Sequence, residues 1–403
     1  MPVLENSAPR ENSPENRPPG PEDTFGVYIH WPFCASKCPY CDFNSHVAET
    51  IDQDRWRRAL ISELNTFALE TPGRTVTSIF FGGGTPSLME PETAAALIAQ
   101  VRRRWASEDG LEITLEANPT SVESGRFRAL RDSGVNRLSL GVQSFRDRNL
   151  AFLGRGHSAE EAKKALVTAA DVFPRFSFDL IYGLPDQTAA DWARDLDDAL
   201  DILRDLGGDH FSLYQLSIEK GTDFYRDRVQ GATEETGAEL YEITQTCLSG
   251  AAMPAYEISN HARPGGECRH NLNIWRGGQY LGIGPGAHGR IARKSRMEAQ
   301  YRIADPARWL SAVEAKGHGT AKRLALSRSA RAEEVLMTGL RLRDGISFSA
   351  FRAATGRDLD ASMDPGGLER MKEGGFVEAD DERLRATATG MLCLNEVLRH
   401  LLT

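Results

Sequence analysis

The sequence predicts an α/β fold followed by a small α+β module. Three observations carry this reading. Short apolar runs alternate with amphipathic stretches from Phe25 onward. Six such units follow one another, which calls for a parallel sheet with right-handed crossovers. Beyond Leu326 the pattern changes to short helices and one hairpin, a winged-helix-like arrangement. Six units fall short of the eight that close a barrel.

Residues 1–24 are rich in Pro, Glu, Asn and Ser, cannot bury a core, and read as a disordered tail. The expected strands are Phe25–Trp31, Ser78–Phe81, Leu111–Ala117, Arg137–Val142, Ser177–Tyr182 and His210–Ser217. Between the first two, Trp56, Leu60, Ile61, Leu64 and Phe67 share one helix face. Pro91 suits the first turn of the next helix. Thr120 with Glu123, and Ser158 with Glu161, have the spacing of capping boxes. The core closes near residue 260, with a helix around Leu240–Cys247 and a strand-like Ala255–Ile258; Cys247 reads as a buried small hydrophobe. Residues 261–325 form a motif-bearing region and linker, and 326–403 the terminal module. In that module Val335, Leu336 and Leu340 line one helix, and Phe348–Ala354 and Leu368–Glu373 suggest two more. Phe376–Ala379 and Leu384–Ala386 flank a turn at Asp380-Asp381, and 390–402 is a closing helix that buries Cys393.

Composition narrows the function. The chain has 403 residues, 40% of them hydrophobic and 26% charged, which is ordinary for a globular protein. A net charge of −9 without a long basic run argues against nucleic acid as a partner. The terminal module has 11 Arg and Lys against 13 Asp and Glu, which argues against DNA in spite of its winged-helix-like pattern. No run of about 18 apolar residues predicts a transmembrane helix. Peripheral membrane contact stays open. The N-terminus has no apolar region of a secretory signal. Six cysteines without framework spacing point to a reducing compartment, the cytoplasm.

Tyr28–Phe43 reads YIHWPFCASKCPYCDF and holds Cys34, Cys38 and Cys41 in C-x3-C-x2-C spacing. Zinc needs four ligands, and the next cysteine is Cys247. Three closely spaced thiolates suit a [4Fe–4S] cluster with one iron left open. Pro32 and Pro39 keep the segment from becoming a helix. Other unusual residues follow the strands, where barrel chemistry sits. These are Gly82-Gly83-Gly84-Thr85-Pro86, Glu116-Ala117-Asn118-Pro119, Gly141-Val142-Gln143-Ser144, and Asp179 inside an apolar strand.

This cysteine spacing, preceded by Y-x-H-x-P-F, resembles the radical SAM superfamily, in particular its coproporphyrinogen III dehydrogenase-like group. The resemblance runs from Gly26 to the C-terminus. It implies a partial, open (β/α)6 TIM-like barrel with the terminal domain of that group. It also implies that S-adenosylmethionine (SAM) chelates the open iron. Matching residues toward SAM are Tyr28, then Gly83, Gly84 and Thr85, then Glu116, with Gln143, Arg155 and Asp179 as a second set. Arg155 also reads as a candidate for an ordinary surface ion pair. The group divides into the dehydrogenases and a haem-chaperone branch, HemW. Phe43 stands where the dehydrogenases carry a fourth cysteine, which favours the HemW branch.

His270-Asn271-x2-Ile274-Trp275 resembles that branch's HNxxYW motif, with Ile274 in place of the tyrosine. The resemblance makes His270 the expected haem ligand, with Cys268 and His288 as alternatives. Between Ala262 and Met297 seven basic residues face only Glu267, a local charge of +6 suited to haem propionates. The expected function is a haem chaperone that binds a [4Fe–4S] cluster, SAM and haem and passes haem to an acceptor protein. The rival is an oxygen-independent coproporphyrinogen III dehydrogenase working by radical chemistry.

Overall fold

The computed structural model describes residues 24–293 and 296–402. The expected tail therefore lies outside the described residues except for Thr24, and Lys294 lies outside them too. The six expected strands are present: β1 (Thr24–Trp31), β2 (Thr75–Gly83), β3 (Ala106–Ala117), β4 (Arg137–Gln143), β5 (Arg175–Tyr182) and β6 (His210–Gln215). They lie side by side in chain order, each parallel to the next. Val27, Ile29, Ile113, Leu115, Leu138 and Leu140 are fully buried along them, as strands covered on both faces require.

The covering helices are α1 (Gln53–Ala68), α2 (Pro91–Arg104), α3 (Ala159–Val172), α4 (Ala189–Asp205) and α5 (Glu234–Gly250). Helix α1 buries Trp56, Leu60, Leu64 and Phe67, the expected face. Pro91 opens α2, and Ser158 with Glu161 makes a complete capping box on α3. At Thr120 only half the box forms. Its side chain accepts from the Glu123 N–H, while the Glu123 carboxylate turns to the N–H of Asn118 at 2.8 Å.

The sheet extends further than the sequence reading. On the far side, the strand expected at 255–258 is only isolated bridges at Ala255 and Glu257. The strand proper is β7 (Asn260–Ala262), antiparallel to β6. On the other side of β1 lies β8 (Gln279–Ile283), parallel to it. Then come the antiparallel β9 (His288–Arg293), β10 (Arg296–Arg302) and β11 (Thr320–Ala325). The order is β11-β10-β9-β8-β1-β2-β3-β4-β5-β6-β7, an open sheet. The stretch 261–325 thus continues the sheet. Between β7 and β8 sits α6 (Arg269–Trp275), and between β10 and β11 sits α7 (Pro306–Lys316). A fully buried Glu63 on α1 ties this edge down. It accepts from the N–H groups of Gly284 at 2.8 Å and Gly319 at 2.6 Å, and faces the buried Arg302 guanidinium at 3.8 Å. Trp56 stacks on Trp309 of α7 with ring centroids 5.3 Å apart.

The terminal module has its own apolar core, including Val335, Leu336, Phe351, Val397 and Leu401. Its elements are α8 (Arg328–Gly339), β12 (Ile346–Ser347), α9 (Phe348–Thr355), α10 (Pro365–Glu373), β13 (Val377–Ala379), β14 (Arg383–Ala386) and α11 (Leu394–Leu402). The hairpin forms at the expected place. The closing helix does not run unbroken from 390: Cys393 interrupts it and is half-buried, as is Cys247. The module is fastened to the core by α8. Arg331 donates to the Gly277 carbonyl, and Glu334 pairs with Arg290 at 2.5 Å.

Candidate functional site

The C-terminal ends of β2 to β6 and the cysteine segment enclose a cavity of about 400 Å³. Its walls include Cys34, Cys38, Cys41, Gly83, Gly84, Thr85, Glu116, Gln143, Arg155 and Asp179. Ten of the twelve residues singled out from the sequence therefore converge on one space. Tyr28 and His270 do not line it.

The three cysteines share the cavity wall without converging on one point: among the described residues no His, Cys, Asp or Glu trio could hold a single metal ion. That arrangement suits a cluster, in which each thiolate serves a different iron. Thr85 donates its hydroxyl to Cys34 Sγ at 3.4 Å, and Arg155 Nη1 donates to Cys38 Sγ at 3.2 Å. Burial pushes the Cys34 thiol up, with Cys41 and Cys38 adding to this and the Thr85 bond opposing it. A cationic cluster would supply the missing charge. Phe43 is 62% exposed at the cavity mouth and offers no ligand atom.

The glycines are small for a reason that the motif alone left open. A Cβ on Gly84 would lie 2.6 Å from the Phe33 carbonyl and 3.0 Å from Cys34 Sγ. Gly83 has φ +117°, and a Cβ there would meet the His30 ring at 2.7 Å. The turn is therefore pressed against the cysteine segment as well as open to a ligand.

Glu116 lies beyond it and accepts from the Gly83 N–H at 3.3 Å. Burial, then the neighbouring Asp179, raises its carboxyl to about 8. Burial also raises Asp179 to about 6, against the Ser212 hydroxyl, Arg137 and Ser139. Two carboxyl groups thus share a dry wall that favours a cation, which the sulfonium of SAM would supply. Gln143 ends β4 with φ +70°, a strained conformation for a side chain of its kind, and its Oε1 is buried without a partner. A cavity ligand with a donor group would satisfy that oxygen.

Arg155 is no surface ion pair. Besides Cys38 it donates to the Asn118 side chain and to the Gly141 carbonyl at 2.8 Å. It is placed by the turn after Gly154, where a Cβ would strike Pro39 at 2.6 Å. Three residues went unassigned in the sequence reading. Asn118 links Arg155 to Thr85 Oγ1 at 3.2 Å. His157 donates Nε2–H to the Val142 carbonyl at 3.1 Å, and burial lowers it to about 4. Tyr214 lines the cavity on the strand next to that of Asp179. Their position in E-x-N-P, L-G-R-G-H and the end of the sixth strand was the available signal.

Tyr28 stands on the inner face of β1, one layer below. Its hydroxyl bonds His30 Nδ1 at 3.0 Å, and His30 Nε2 bonds the Asn44 carbonyl at 2.9 Å. Since a carbonyl only accepts, Nε2 carries the proton and Tyr28 is the donor. Gly82 leaves room for Tyr28 and Glu116 together, because a Cβ would meet both within 3.2 Å.

The other end of the barrel is closed by α6. Its N-terminal turn donates the His270 N–H to Glu112 Oε1 at 3.3 Å, and Cys268 Sγ lies 3.5 Å from the same oxygen. A carboxylate suits a helix N-terminus. His270 is 4% exposed and stacks on Phe80 with centroids 4.7 Å apart. Burial, then Arg137, lowers it to about 3, so it is neutral. In this arrangement its ring packs in the barrel interior against Phe80 and Tyr28. Cys268 is equally buried, while His288 is exposed on β9. The basic residues expected around a haem are partly engaged. Arg269, Arg290 and Arg293 pair with Glu108, Glu334 and Glu70.

Comparison with known proteins agrees with this geometry. Residues 28–199 match the radical SAM superfamily, and 326–393 the HemN C-terminal domain. The chain is 39% identical to radical S-adenosyl methionine domain-containing protein 1, mitochondrial, of Bos taurus, over 97% of this chain and 90% of that protein. It is 36% identical to heme chaperone HemW of Mycobacterium tuberculosis, over 95% of this chain and 96% of that one. Heme chaperone HemW of Escherichia coli is 42% identical over 66% of this chain and 70% of its own length. In fold, the chain is similar to coproporphyrinogen III oxidase (HemN) of Escherichia coli, with TM-score 0.79 and 22% identity, over 95% of this chain and 91% of that one. The cysteine cavity, the open sheet and the terminal module thus fit one assignment: the chain belongs to the radical SAM superfamily, as a HemW-like member of its HemN-like family.

Proposed function

We propose that the protein is a haem chaperone. It holds a [4Fe–4S] cluster on Cys34, Cys38 and Cys41, with SAM against Gly83, Gly84, Thr85, Glu116 and Gln143. It takes up haem beside the 270–275 segment and passes it to an acceptor protein in a reducing compartment, the cytoplasm. Such a cluster with SAM bound supplies one-electron chemistry. The chain's own residues do the rest: Arg155 steadies Cys38, Gly83 and Gly84 let the ligand approach, and Glu116 with Asp179 awaits positive charge.

One observation carries the chaperone reading. The motif helix α6 closes the barrel at the strands' N-terminal ends, beside Gly26, whereas the cysteine cavity opens at their C-terminal ends. From Gly26 to Trp31 the strand runs about 16 Å. A porphyrin outside that end is out of reach of the cavity's chemistry, which favours carriage over dehydrogenation. The mixed Gln143, Arg155 and Asp179 wall favours the rival, because it offers polar contacts for a second small ligand. The anaerobically reconstituted protein decides between them. Haem transfer to an apo-acceptor without turnover of coproporphyrinogen III supports the chaperone. Conversion to protoporphyrinogen IX overturns it. No helix among the described residues is long and apolar enough to cross a membrane.

A further inference from the structure

Alternate residues of a strand point to the same face. On β4 and β5 this sets Arg137, Ser139, Ser177 and Asp179 inside the barrel, where branched apolar side chains are the ordinary filling. The two strands are paired so that Ser139 lies beside Ser177. A single file of hydrogen bonds climbs between them. Arg137 Nη2 donates to Ser177 Oγ at 3.0 Å, the Ser177 hydroxyl donates to Ser139 Oγ at 3.1 Å, and the Ser139 hydroxyl donates to Asp179 Oδ1 at 3.5 Å. Every donor points the same way, from a guanidinium low in the barrel to a carboxylate in the wall of the cysteine cavity. Arg137 is 2% exposed and forms no ion pair among the described residues, and its Nε is buried without a partner. Glu112 and Asp209 lie in its field, but Arg175 holds them at 3.3 and 3.0 Å. A buried charge without a counter-ion is costly. Here its hydrogen bond leads, through two serines, to Asp179.

We propose that Arg137, Ser177 and Ser139 are positioning residues that hold the Asp179 carboxylate ionised and in place in the cavity for the cation of SAM. The proposal rests on the SAM reading of that cavity and adds the residues that act on it from below. Hydrogen bonds in a file polarise one another. A hydroxyl that accepts from a guanidinium is a better donor, and the second serine passes this on to Asp179. Glu116 accepts from the Gly83 N–H, a neutral donor. The two carboxyls of the cavity thus have different tasks. Asp179 supplies a standing negative charge, and Glu116 the proton that leaves when SAM binds. The Ser212 hydroxyl also reaches Asp179, but Asn260 Oδ1 at 2.9 Å competes for its one proton. The other charged or titratable groups in the field of Asp179 are Glu116 on β3, Arg155 after β4 and Tyr214 on β6. Thr114 on β3, in register with Arg137, has a buried hydroxyl without a partner and stands outside the file.

The test uses the anaerobically reconstituted full chain. Ser139→Ala and Ser177→Ala break the file, and Thr114→Val removes an interior hydroxyl outside it. Infrared difference spectra without SAM, with Asp179→Asn as the blank, follow the carboxyl C=O band of Asp179 against pH. Burial raises Asp179 to about 6. Loss of a donor to the carboxylate favours its protonated form. Both serine variants therefore lose the band at a pH about one unit higher than the parent, and Thr114→Val does not. Equilibrium dialysis reads the same change as SAM affinity. The ratio of ionised fractions makes both serine variants about fivefold weaker at pH 6, about twofold weaker at pH 7 and nearly equal to the parent at pH 8. In an Asp179→Asn background, Ser177→Ala changes the affinity no further. Serine variants that titrate as the parent does overturn the proposal, and so does an equal shift in Thr114→Val. A full effect of Ser177→Ala in the Asp179→Asn background also overturns it, because the serine then acts elsewhere. If wild type binds no SAM, the SAM reading falls, and the infrared titration still decides whether the file holds Asp179 ionised.

Discussion

Tyr28 and His270 stack with ring centroids 6.0 Å apart and planes 25° from parallel. They come from the first strand and from a helix more than two hundred residues later. The pair joins the two ends of the barrel. Tyr28 reaches toward the Glu116 layer, and His270 anchors α6 beneath it. A histidine in this position is packing, and its unpartnered Nδ1 is a cost that the stack with Phe80 and Tyr28 offsets.

Replacement of His270 separates packing from coordination. His270→Ala leaves a hole under Tyr28 and lowers stability by about 2–4 kcal/mol, the range for large-to-small core changes. His270→Phe keeps the stack, removes the orphaned nitrogen and leaves stability within about 1 kcal/mol of the parent. Denaturant unfolding of both variants is the measurement. A Phe variant as unstable as the Ala variant would show that the imidazole has a polar role.

The cysteine segment and the glycine turn behave as one unit. Cys34→Ala, Cys38→Ala and Cys41→Ala each abolish iron after anaerobic reconstitution, whereas Cys247→Ala and Cys393→Ala do not. Gly84→Val also loses the cluster, since its side chain meets Cys34 and the Phe33 carbonyl. Glu116→Gln keeps the cluster and loses SAM affinity. Iron and sulfide analysis distinguishes the two kinds of variant. Retention of a full cluster in Gly84→Val would refute the close packing.

SAM binding releases protons near neutrality. Glu116, raised to about 8, is mostly protonated at pH 7. A bound cation favours the ionised form, which lowers that value and expels up to about one proton. The sign follows: affinity rises with pH up to about 8 and then levels off. Calorimetry in two buffers of different ionisation enthalpy reads the release directly. Glu116→Gln abolishes its share; an equal release from that variant assigns the proton elsewhere.

The strand centres were legible because buried parallel strands are nearly continuous apolar runs, as Ser177–Tyr182 is. The cavity residues were legible because each follows such a run. The edge strands 279–325 were not. They carry Gly282, Gly284, Gly286 and several arginines, and their partners are set by long-range pairing. The buried placement of His270 was not legible for a related reason. A motif reports which residues occur together, and its spacing on a helix does not say which face meets which neighbour. The basic cluster of the sequence divided in space in the same way, because Glu70, Glu108 and Glu334 come from distant segments.

Arg155 gives the last prediction. Its guanidinium reaches Cys38 Sγ, the Asn118 side chain and the Gly141 carbonyl at once. A positive charge at a cluster ligand favours the reduced, more negative cluster. Arg155→Met therefore makes reduction harder by something on the order of 50–100 mV, for a charge about 5 Å away in a medium of intermediate dielectric. Arg155→Lys keeps the charge but cannot span three acceptors. Its potential stays near the parent's, while its cluster is lost faster to a chelator because Asn118 and Gly141 no longer brace the cysteine segment. Spectroelectrochemistry measures the first effect and the rate of iron release the second. A Met variant with the parent's potential would leave Arg155 only a bracing role, and a Lys variant with the parent's iron-release rate would leave it only an electrostatic one.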